Sequence, residues 1–179
     1  IPSRERENYL KKNIVLTGFM GTGKTSTGRV LAMKLGTRFI DTDKLIEKEA
    51  GTLIREIFKK LGEPHFRGLE REIVRKVSEE NGVVIAVGGG AIVNPANLAD
   101  LKRHGIVVSL TASPEVILSR VERNLDRPLL KVEDKLGKIK ELIAVRAHFY
   151  EKSDITVDTD FKNPEQVADE ILEAVRREM

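Results

Sequence analysis

A glycine-rich segment near the start of the chain limits the possible fold more than any other feature. Residues 18–25 (GFMGTGKT) match the pattern G-x-x-x-x-G-K-T in full, between an apolar run at 13–17 and a helical pattern at 24–35. In such a loop the glycines let several backbone N–H groups point at one phosphate chain, and the helix directs its positive dipole end to the same anion. Lys24 would reach the β- and γ-phosphates, and Thr25 could hold Mg²⁺. We call residues 18–25 the phosphate loop; a plain glycine turn is the structural alternative.

Apolar runs and helical patterns alternate along the rest of the chain. Strands are predicted at 13–17, 38–40, 83–87, 106–110 and 155–157, and helices at 24–35, 45–61, 69–77, 95–104, from 114, at 138–150 and from 164. Strands separated by helices of this length form parallel units, so we expect an α/β fold with helices on both faces of the sheet. Ligands of such sheets bind beyond the carboxyl ends of the strands. Residues 13–179 are predicted to form one domain, preceded at 1–12 by a loose polar tail or a short helix.

Composition excludes several other classes of protein. The chain has 179 residues, no cysteine and no tryptophan, which excludes a disulfide scaffold, a thiolate metal site and a cysteine nucleophile. Its net charge of +3 comes from mixed charges without a basic stripe, so nucleic acid is not an expected partner. No apolar run has the length of a membrane span. We therefore expect neither a membrane nor a nucleic-acid partner, and we take a monomer in the cytoplasm as the default expectation.

Two carboxylates follow the predicted strand at 38–40, in the sequence Asp41-Thr42-Asp43. Residues two apart in an extended segment point the same way, so both acids could face the phosphates. One could support Mg²⁺ through water, and the other could orient or deprotonate an acceptor hydroxyl. A polar turn that caps a helix from Lys44 is an equally good explanation of these residues alone.

Three consecutive glycines, Gly88, Gly89 and Gly90, follow the apolar run at 83–87. Each costs about 0.5–1 kcal/mol of chain entropy relative to alanine, so the triplet indicates close approach of the backbone to a ligand. A flexible turn is the alternative. Three arginines stand out only through their neighbours, and each taken singly would be a solvated charge; they are Arg67 in GEPHFRGLE, Arg127 before Pro128, and Arg146 in RAHFY.

Six short motifs occur in one order along the chain: GxxGxGKT, DTD, GExxFRxxE, GGG, RPLL and RAxxY. Together they resemble the shikimate kinase family from about residue 13 to the C-terminus, although each motif after the first is weak alone. The resemblance implies a three-layer αβα fold with a central five-stranded parallel sheet, similar to nucleoside monophosphate kinases. It also implies transfer of the γ-phosphate of ATP to the 3-hydroxyl of shikimate, with one Mg²⁺ per site, in the chorismate route to aromatic amino acids.

The resemblance further implies a role for individual residues. The catalytic set would be Asp43, Lys24 and Arg127. The ATP-binding set would be Gly21, Thr22, Gly23, Lys24, Thr25, Ser26 and Arg127, with Arg120 and Pro164 at the adenine. The shikimate-binding set would be Asp43, Arg67, Gly88, Gly89, Gly90 and Arg146, and the metal ligands would be Thr25 and Asp41. Glu70 would orient an arginine, helices at about 44–80 would bind shikimate, and a loop at about 123–136 would form a lid that carries Arg127.

Other functions share parts of this pattern. A gluconate kinase would have the same phosphate loop, but it would not need two arginines for a carboxylate together with the GGG segment. A nucleotide-binding regulatory module would usually have lost Lys24, Asp43 or Arg127, and all three are present. A nucleic-acid-dependent NTPase would need a basic face or an aromatic platform, and neither is visible in the sequence.

Overall fold

The computed structural model of the chain describes residues 1–123 and 133–179. Its strands are β1 (Asn13–Gly18), β2 (Phe39–Asp41), β3 (Val84–Ala86), β4 (Gly105–Thr111) and β5 (Ile155–Asp158). They form one parallel sheet in the order β2-β3-β1-β4-β5. The helices of the described residues are α1 (Ser3–Tyr9), α2 (Lys24–Leu35), α3 (Thr42–Ala50), α4 (Ile54–Ser78), α5 (Pro95–His104), α6 (Pro114–Val121), α7 (Lys135–Tyr150) and α8 (Pro164–Glu178). No helix within this part of the chain is long and apolar enough to cross a membrane.

Two apolar clusters, one on each face of the sheet, hold the helices in place. Val15 of β1 packs with α3 to α7, whereas its neighbours Ile14 and Leu16 pack with α1, α2 and α8. This alternation follows from the strand geometry, because successive side chains point to opposite faces. All three side chains are at most 2% exposed, as expected for a parallel strand covered on both sides. The predicted three-layer αβα fold with a five-stranded parallel sheet is confirmed.

The predicted interruption around Gly62 and Pro64 is present, because Gly62 has a non-helical φ of +81° and kinks α4. The predicted helix at 45–61 is not continuous, because α3 ends at Ala50, where Gly51 has φ +68°, and α4 begins at Ile54. Pro64 explains the kink, because proline lacks an N–H and its ring clashes with the preceding turn. Ile57 and Phe66, on opposite sides of the kink, pack into the same core and keep both halves of α4 together.

The structure also differs from the expected organisation at residues 1–12 and at the start of α7. Residues 1–12 form the short helix α1, and Tyr9 is buried with its hydroxyl bonded to the Leu172 carbonyl at 3.2 Å. Helix α7 begins at Lys135, ahead of the predicted 138, because the Asp134 side chain caps it by accepting from the Gly137 N–H. Arg127 and most of the predicted loop at about 123–136 lie outside the described residues.

Candidate active site

The phosphate loop has the geometry that its sequence predicts. Gly21 and Gly23 have φ of +74° and +93°, a conformation that glycine adopts without strain. Gly23 also precedes the first turn of α2, and no described side chain caps that turn. The Lys24 ammonium is folded over the loop and donates to the carbonyls of Gly18 at 2.7 Å and Phe19 at 3.0 Å. The loop therefore presents backbone donors and a cation to one concave surface, which suits a phosphate chain.

The Asp41 carboxylate serves two structural purposes at the end of β2. Its Oδ2 accepts from the Thr25 hydroxyl at 3.0 Å, and its Oδ1 accepts from the backbone N–H groups of Asp43 and Lys44 at 3.1 and 3.2 Å. The capping interpretation and the placement of Asp41 at the phosphate loop are therefore both correct. The expectation of an extended segment is wrong, because Thr42 begins α3 and Asp43 lies in its first turn.

Thr25 and Asp41 place two oxygen ligands beside the phosphate loop. Mg²⁺ prefers such hard oxygen donors and usually takes one or two from the protein, with phosphate and water completing an octahedron. The described residues contain no group of three or more His, Cys, Asp and Glu side chains that could hold a metal by themselves. The pair thus fits an ion that shares its coordination with a bound triphosphate.

Two carboxylates converge on the backbone of Gly88. A Cβ atom at this glycine would lie 2.8 Å from Asp43 Oδ1 and 3.2 Å from Glu70 Oε2. Glu70 is 2% exposed, and burial raises the pKa of its carboxyl against the opposing effect of Arg67. Glu70 Oε1 accepts from Arg67 at 2.7 Å, whereas no described group bonds to Glu70 Oε2. A buried acceptor without a partner is costly, and a ligand that donates a hydroxyl at this point would satisfy it.

Arg67 of α4 and Arg146 of α7 line one cavity of about 380 Å³, within the size range of small-molecule sites. Phe66 and Phe19 lie beneath these two guanidinium groups at 5.2 and 5.8 Å from the ring centroids. The other lining residues are Glu63, Glu70, Gly90, Val93, Asn94, Asn97, Val145 and Phe149. The cavity thus combines two fixed cations with an apolar wall, which suits a small anion with a carbon ring.

The second and third glycines of the triplet form the wall between this cavity and the phosphate loop. A Cβ atom at Gly89 would lie 3.4 Å from the Gly18 carbonyl and 3.5 Å from the Arg146 guanidinium. A Cβ atom at Gly90 would lie 2.6 Å from the Arg67 guanidinium. A side chain at Gly90 would therefore displace the Arg67 guanidinium, whereas one at Gly89 would be most crowded by the Gly18 carbonyl. Sequence reasoning gave no role to Tyr150, whose hydroxyl donates to the Gly89 carbonyl, although the RAxxY motif contains it.

Of the two residues predicted at the adenine, Arg120 contacts the phosphate loop. Arg120 donates to the carbonyls of Gly21 and Thr159 at 3.0 and 2.9 Å, and so links the loop to the segment after β5. Pro164 begins α8, where Asn163 and Gln166 form the predicted capping box. Thr22 is buried in the loop, and Ser26 is exposed in the first turn of α2.

A phosphate loop on a parallel αβα sheet, separated by one glycine wall from a small cationic cavity, defines a P-loop kinase of small molecules. The chain matches the model of the shikimate kinase family over residues 20–176 and belongs to that family of ATP-dependent kinases, which transfer phosphate to shikimate. The shikimate kinase of Caldanaerobacter subterraneus is 50% identical over 91% of this chain and 95% of its own. That of Thermodesulfovibrio yellowstonii is 46% identical over 93% and 96%.

Solved structures agree with this assignment. Shikimate kinase from Acinetobacter baumannii, determined in complex with shikimate, matches with a TM-score of 0.92 and 37% identity over 99% of this chain and 98% of its own. A gluconokinase from Sinorhizobium meliloti covers 94% of this chain and 93% of its own, at a TM-score of 0.60 and 16% identity, and shares the fold alone. The family expected from the six motifs is therefore confirmed, and gluconate kinase is a relative in fold.

Proposed function

We propose that this chain transfers the γ-phosphate of ATP to the 3-hydroxyl of shikimate, giving shikimate 3-phosphate and ADP. The observation that carries this proposal is the pairing of Arg67 and Arg146 in one cavity beside the phosphate loop. Shikimate is a small ring acid with three hydroxyl groups, so it needs a cationic end and several hydrogen-bonding groups. The relative from Acinetobacter baumannii was solved with shikimate bound, which supports the same acceptor here.

The two arginines bind the shikimate carboxylate. A planar guanidinium matches a carboxylate with two parallel hydrogen bonds, and two such groups define its orientation as well as its charge. Glu70 and Glu63 hold Arg67 by hydrogen bonds at 2.7 and 3.2 Å, so this arginine is oriented before substrate arrives. Gly88, Gly89 and Gly90 supply close backbone contacts on the side of the ring hydroxyls.

Asp43 accepts the proton of the reacting hydroxyl. Its carboxylate lies beside Gly88, at the carboxyl ends of the strands, where the phosphate loop also lies. Phosphoryl transfer needs mainly positioning and charge stabilisation, and a well-placed base adds about 10²–10⁴ in rate. The buried Oε2 atom of Glu70 on the same side accepts from a second ring hydroxyl, which fixes the orientation of the acceptor.

The phosphates of ATP bind to the backbone of residues 21–26 and to Lys24, which exchanges its two carbonyl partners for phosphate oxygens. Arg127, carried by a lid loop at about 123–136, closes onto the transferring group. Arg120 and Pro164 flank the adenine, and the contact of Arg120 with Gly21 supports that placement at the loop's far end.

Thr25 and Asp41 would hold one Mg²⁺ together with the phosphates of ATP. When bound, the ion neutralises charge on the β- and γ-phosphates. The protein places the Thr25 hydroxyl and the Asp41 Oδ2 atom 3.0 Å apart. Hydrogen bonds to the first turn of α3 keep Asp41 in this position.

We expect the active species to be a monomer. Residues 13–179 act as a single kinase domain in the cytoplasm, where ATP is available, and helices at about 44–80 form the acceptor side. Light scattering after gel filtration tests the monomer, which predicts a mass near 20.0 kDa.

A coupled assay of ADP release tests the function directly. ATP and Mg²⁺ are supplied with shikimate, quinate, gluconate or a nucleoside monophosphate as the acceptor. Release that requires shikimate, with phosphate at its 3-hydroxyl by NMR, is the expected result. Equal release with gluconate, or ATP binding without transfer to shikimate, would instead support another acceptor or a regulatory role.

A further inference from the structure

Tyr150 ends α7 with a buried side chain, 8% exposed, and its hydroxyl donates to the Gly89 carbonyl at 2.6 Å. The two residues are 61 positions apart, so the contact joins α7 to the loop after β3. Buried tyrosines usually find a hydrogen-bond partner, and such a bond alone indicates no function. The hydrogen bond of Tyr150 differs in the location of the Gly89 carbonyl that accepts it.

The bonded peptide lies in the wall of the acceptor cavity. Gly89 is close to both the phosphate loop and Arg146, and Gly90 lines the cavity itself. Because the peptide unit is planar and trans, the Gly89 carbonyl and the Gly90 N–H point in opposite directions. A hydrogen bond that holds the carbonyl toward Tyr150 therefore also sets the direction of the Gly90 N–H.

Arg146 lies one helical turn before Tyr150, so both side chains project from the same face of α7. Burial raises the pKa of the Tyr150 hydroxyl, and the adjacent Arg146 guanidinium acts in the opposite direction. The hydroxyl therefore stays protonated at neutral pH and remains a donor to Gly89. One buried hydroxyl is thus adjacent to both the glycine wall and an arginine of the cavity.

We propose that Tyr150 is a positioning residue for the acceptor substrate, because its hydroxyl holds the Gly89 carbonyl in the glycine wall, beside the Arg146 guanidinium. This inference rests on the proposed function, which places the acceptor in the cavity. Without the hydroxyl, the peptide between Gly89 and Gly90 can rotate and Arg146 loses its neighbour. Acceptor binding then weakens, whereas the ATP-binding groups on the phosphate loop keep their own hydrogen bonds.

The test is the Tyr150→Phe variant, with Tyr9→Phe as a matched control. Tyr9 is the chain's other tyrosine, is also buried, and also donates to a backbone carbonyl, but it packs on the opposite face of the sheet. We expect Tyr150→Phe to raise the KM for shikimate about tenfold, the size of one lost hydrogen bond in a binding site, with the KM for ATP changed less than about twofold. Tyr9→Phe should leave both constants unchanged.

A double-mutant cycle with Arg146→Ala provides the readout that a merely structural role would not move. If Tyr150 acts on the unit that contains Arg146, the double variant binds shikimate more tightly than the product of the two single losses predicts. Independent losses, an unchanged KM for shikimate in Tyr150→Phe, or an equal loss for ATP would each overturn the proposal. ATP binding by each variant, measured by calorimetry, shows whether it is folded.

The two proposals fail in different ways. A wild-type chain that does not phosphorylate shikimate would overturn the proposed function before any variant is made. A wild-type chain that does so, beside a Tyr150→Phe variant with unchanged kinetics for shikimate, would overturn only the positioning role.

Discussion

The carboxylate of Asp41 joins the phosphate loop to α3, because one of its oxygens accepts from the Thr25 hydroxyl and the other caps the helix. At the phosphate loop, Asp41 needs its negative charge to support a metal ion, whereas capping α3 needs only a hydrogen-bond acceptor. The two tasks can therefore be separated by substitution.

We expect Asp41→Asn to keep the helix cap and to lose the charge, since asparagine caps helices as well as aspartate. The Mg²⁺ concentration for half-maximal rate should rise about tenfold, the loss typical of a weakened metal shell. Asp41→Ala should show the same change and also lose about 1 kcal/mol of unfolding free energy. Magnesium titrations of the rate and urea unfolding separate the two effects. An unchanged magnesium requirement in Asp41→Asn would remove Asp41 from the metal site.

Asp43 should affect turnover and not ATP binding. We expect Asp43→Asn to lower kcat by about 10²–10⁴, because the amide cannot take the proton of the acceptor hydroxyl. ATP affinity, measured by calorimetry, should stay near the wild-type value, since the Asp43 carboxylate lies beside Gly88, in the wall of the acceptor cavity. A variant with near-wild-type turnover would show that another group receives the proton.

Gly90 offers a steric test of the arginine pair. Its φ of −102° is open to alanine, so Gly90→Ala strains no backbone, but its methyl group would lie 2.6 Å from the Arg67 guanidinium. We expect the displaced Arg67 to raise the KM for shikimate about tenfold, the effect of one lost charged hydrogen bond, with little change in stability.

Gly68→Ala is the matched control, because Gly68 is exposed in α4 and an added Cβ would meet no atom within 4 Å. Alanine there should raise the unfolding free energy by about 0.5–1 kcal/mol and leave shikimate kinetics unchanged. If Gly90→Ala kept the wild-type KM for shikimate, the cavity beside Arg67 would not be the acceptor site.

Asp100 should make stability depend on pH. Hydrogen bonds from Arg71 and Arg103, at 2.7 and 2.8 Å, hold the pKa of Asp100 below its ordinary value and tie α4 to α5. The folded chain therefore binds the Asp100 proton less readily than the unfolded chain, so this stabilisation is present above the ordinary pKa and is lost as pH falls through the lowered value.

Asp100→Asn should accordingly cost about 1–2 kcal/mol of unfolding free energy at pH 7, and the cost should shrink on acidification toward pH ~3. Urea unfolding across that range measures it. Glu79→Gln serves as the control, because its contact with Arg103 is longer, at 3.6 Å, and exposed. A cost for Asp100→Asn that is constant with pH would show that the carboxylate charge is not responsible.

The parts of the fold that were predictable depend on local chemistry. The phosphate loop is predictable from residues 13–25 alone. Its turn, the start of its helix and its phosphate contacts all come from residues that are neighbours in the sequence. The alternation of apolar runs predicts the sheet for the same reason. The break around Gly62 and Pro64 is predictable from those two residues, whereas the additional break at Gly51 was not predicted from the helical pattern at 45–61.

Contacts between residues far apart in the sequence cannot be predicted from local patterns. The helical position of Asp43 is not predictable from the sequence Asp41-Thr42-Asp43, because the same residues suit the end of a strand and the cap of a helix. The partner of Tyr150 is 61 residues away, so no spacing indicated it. The proposed contact of Glu70 with Arg67 is three positions along one helix, and such a pair is readily anticipated.

The central position of β1 bears on how the chain is made. This first strand lies between β3 and β4, and Gly18 at its end sits against the Leu110 carbonyl of β4. A growing chain therefore carries its phosphate-loop residues out of the ribosome long before the strands that support them. The phosphate loop can therefore take its folded position only after β4, which ends at Thr111, has been synthesised.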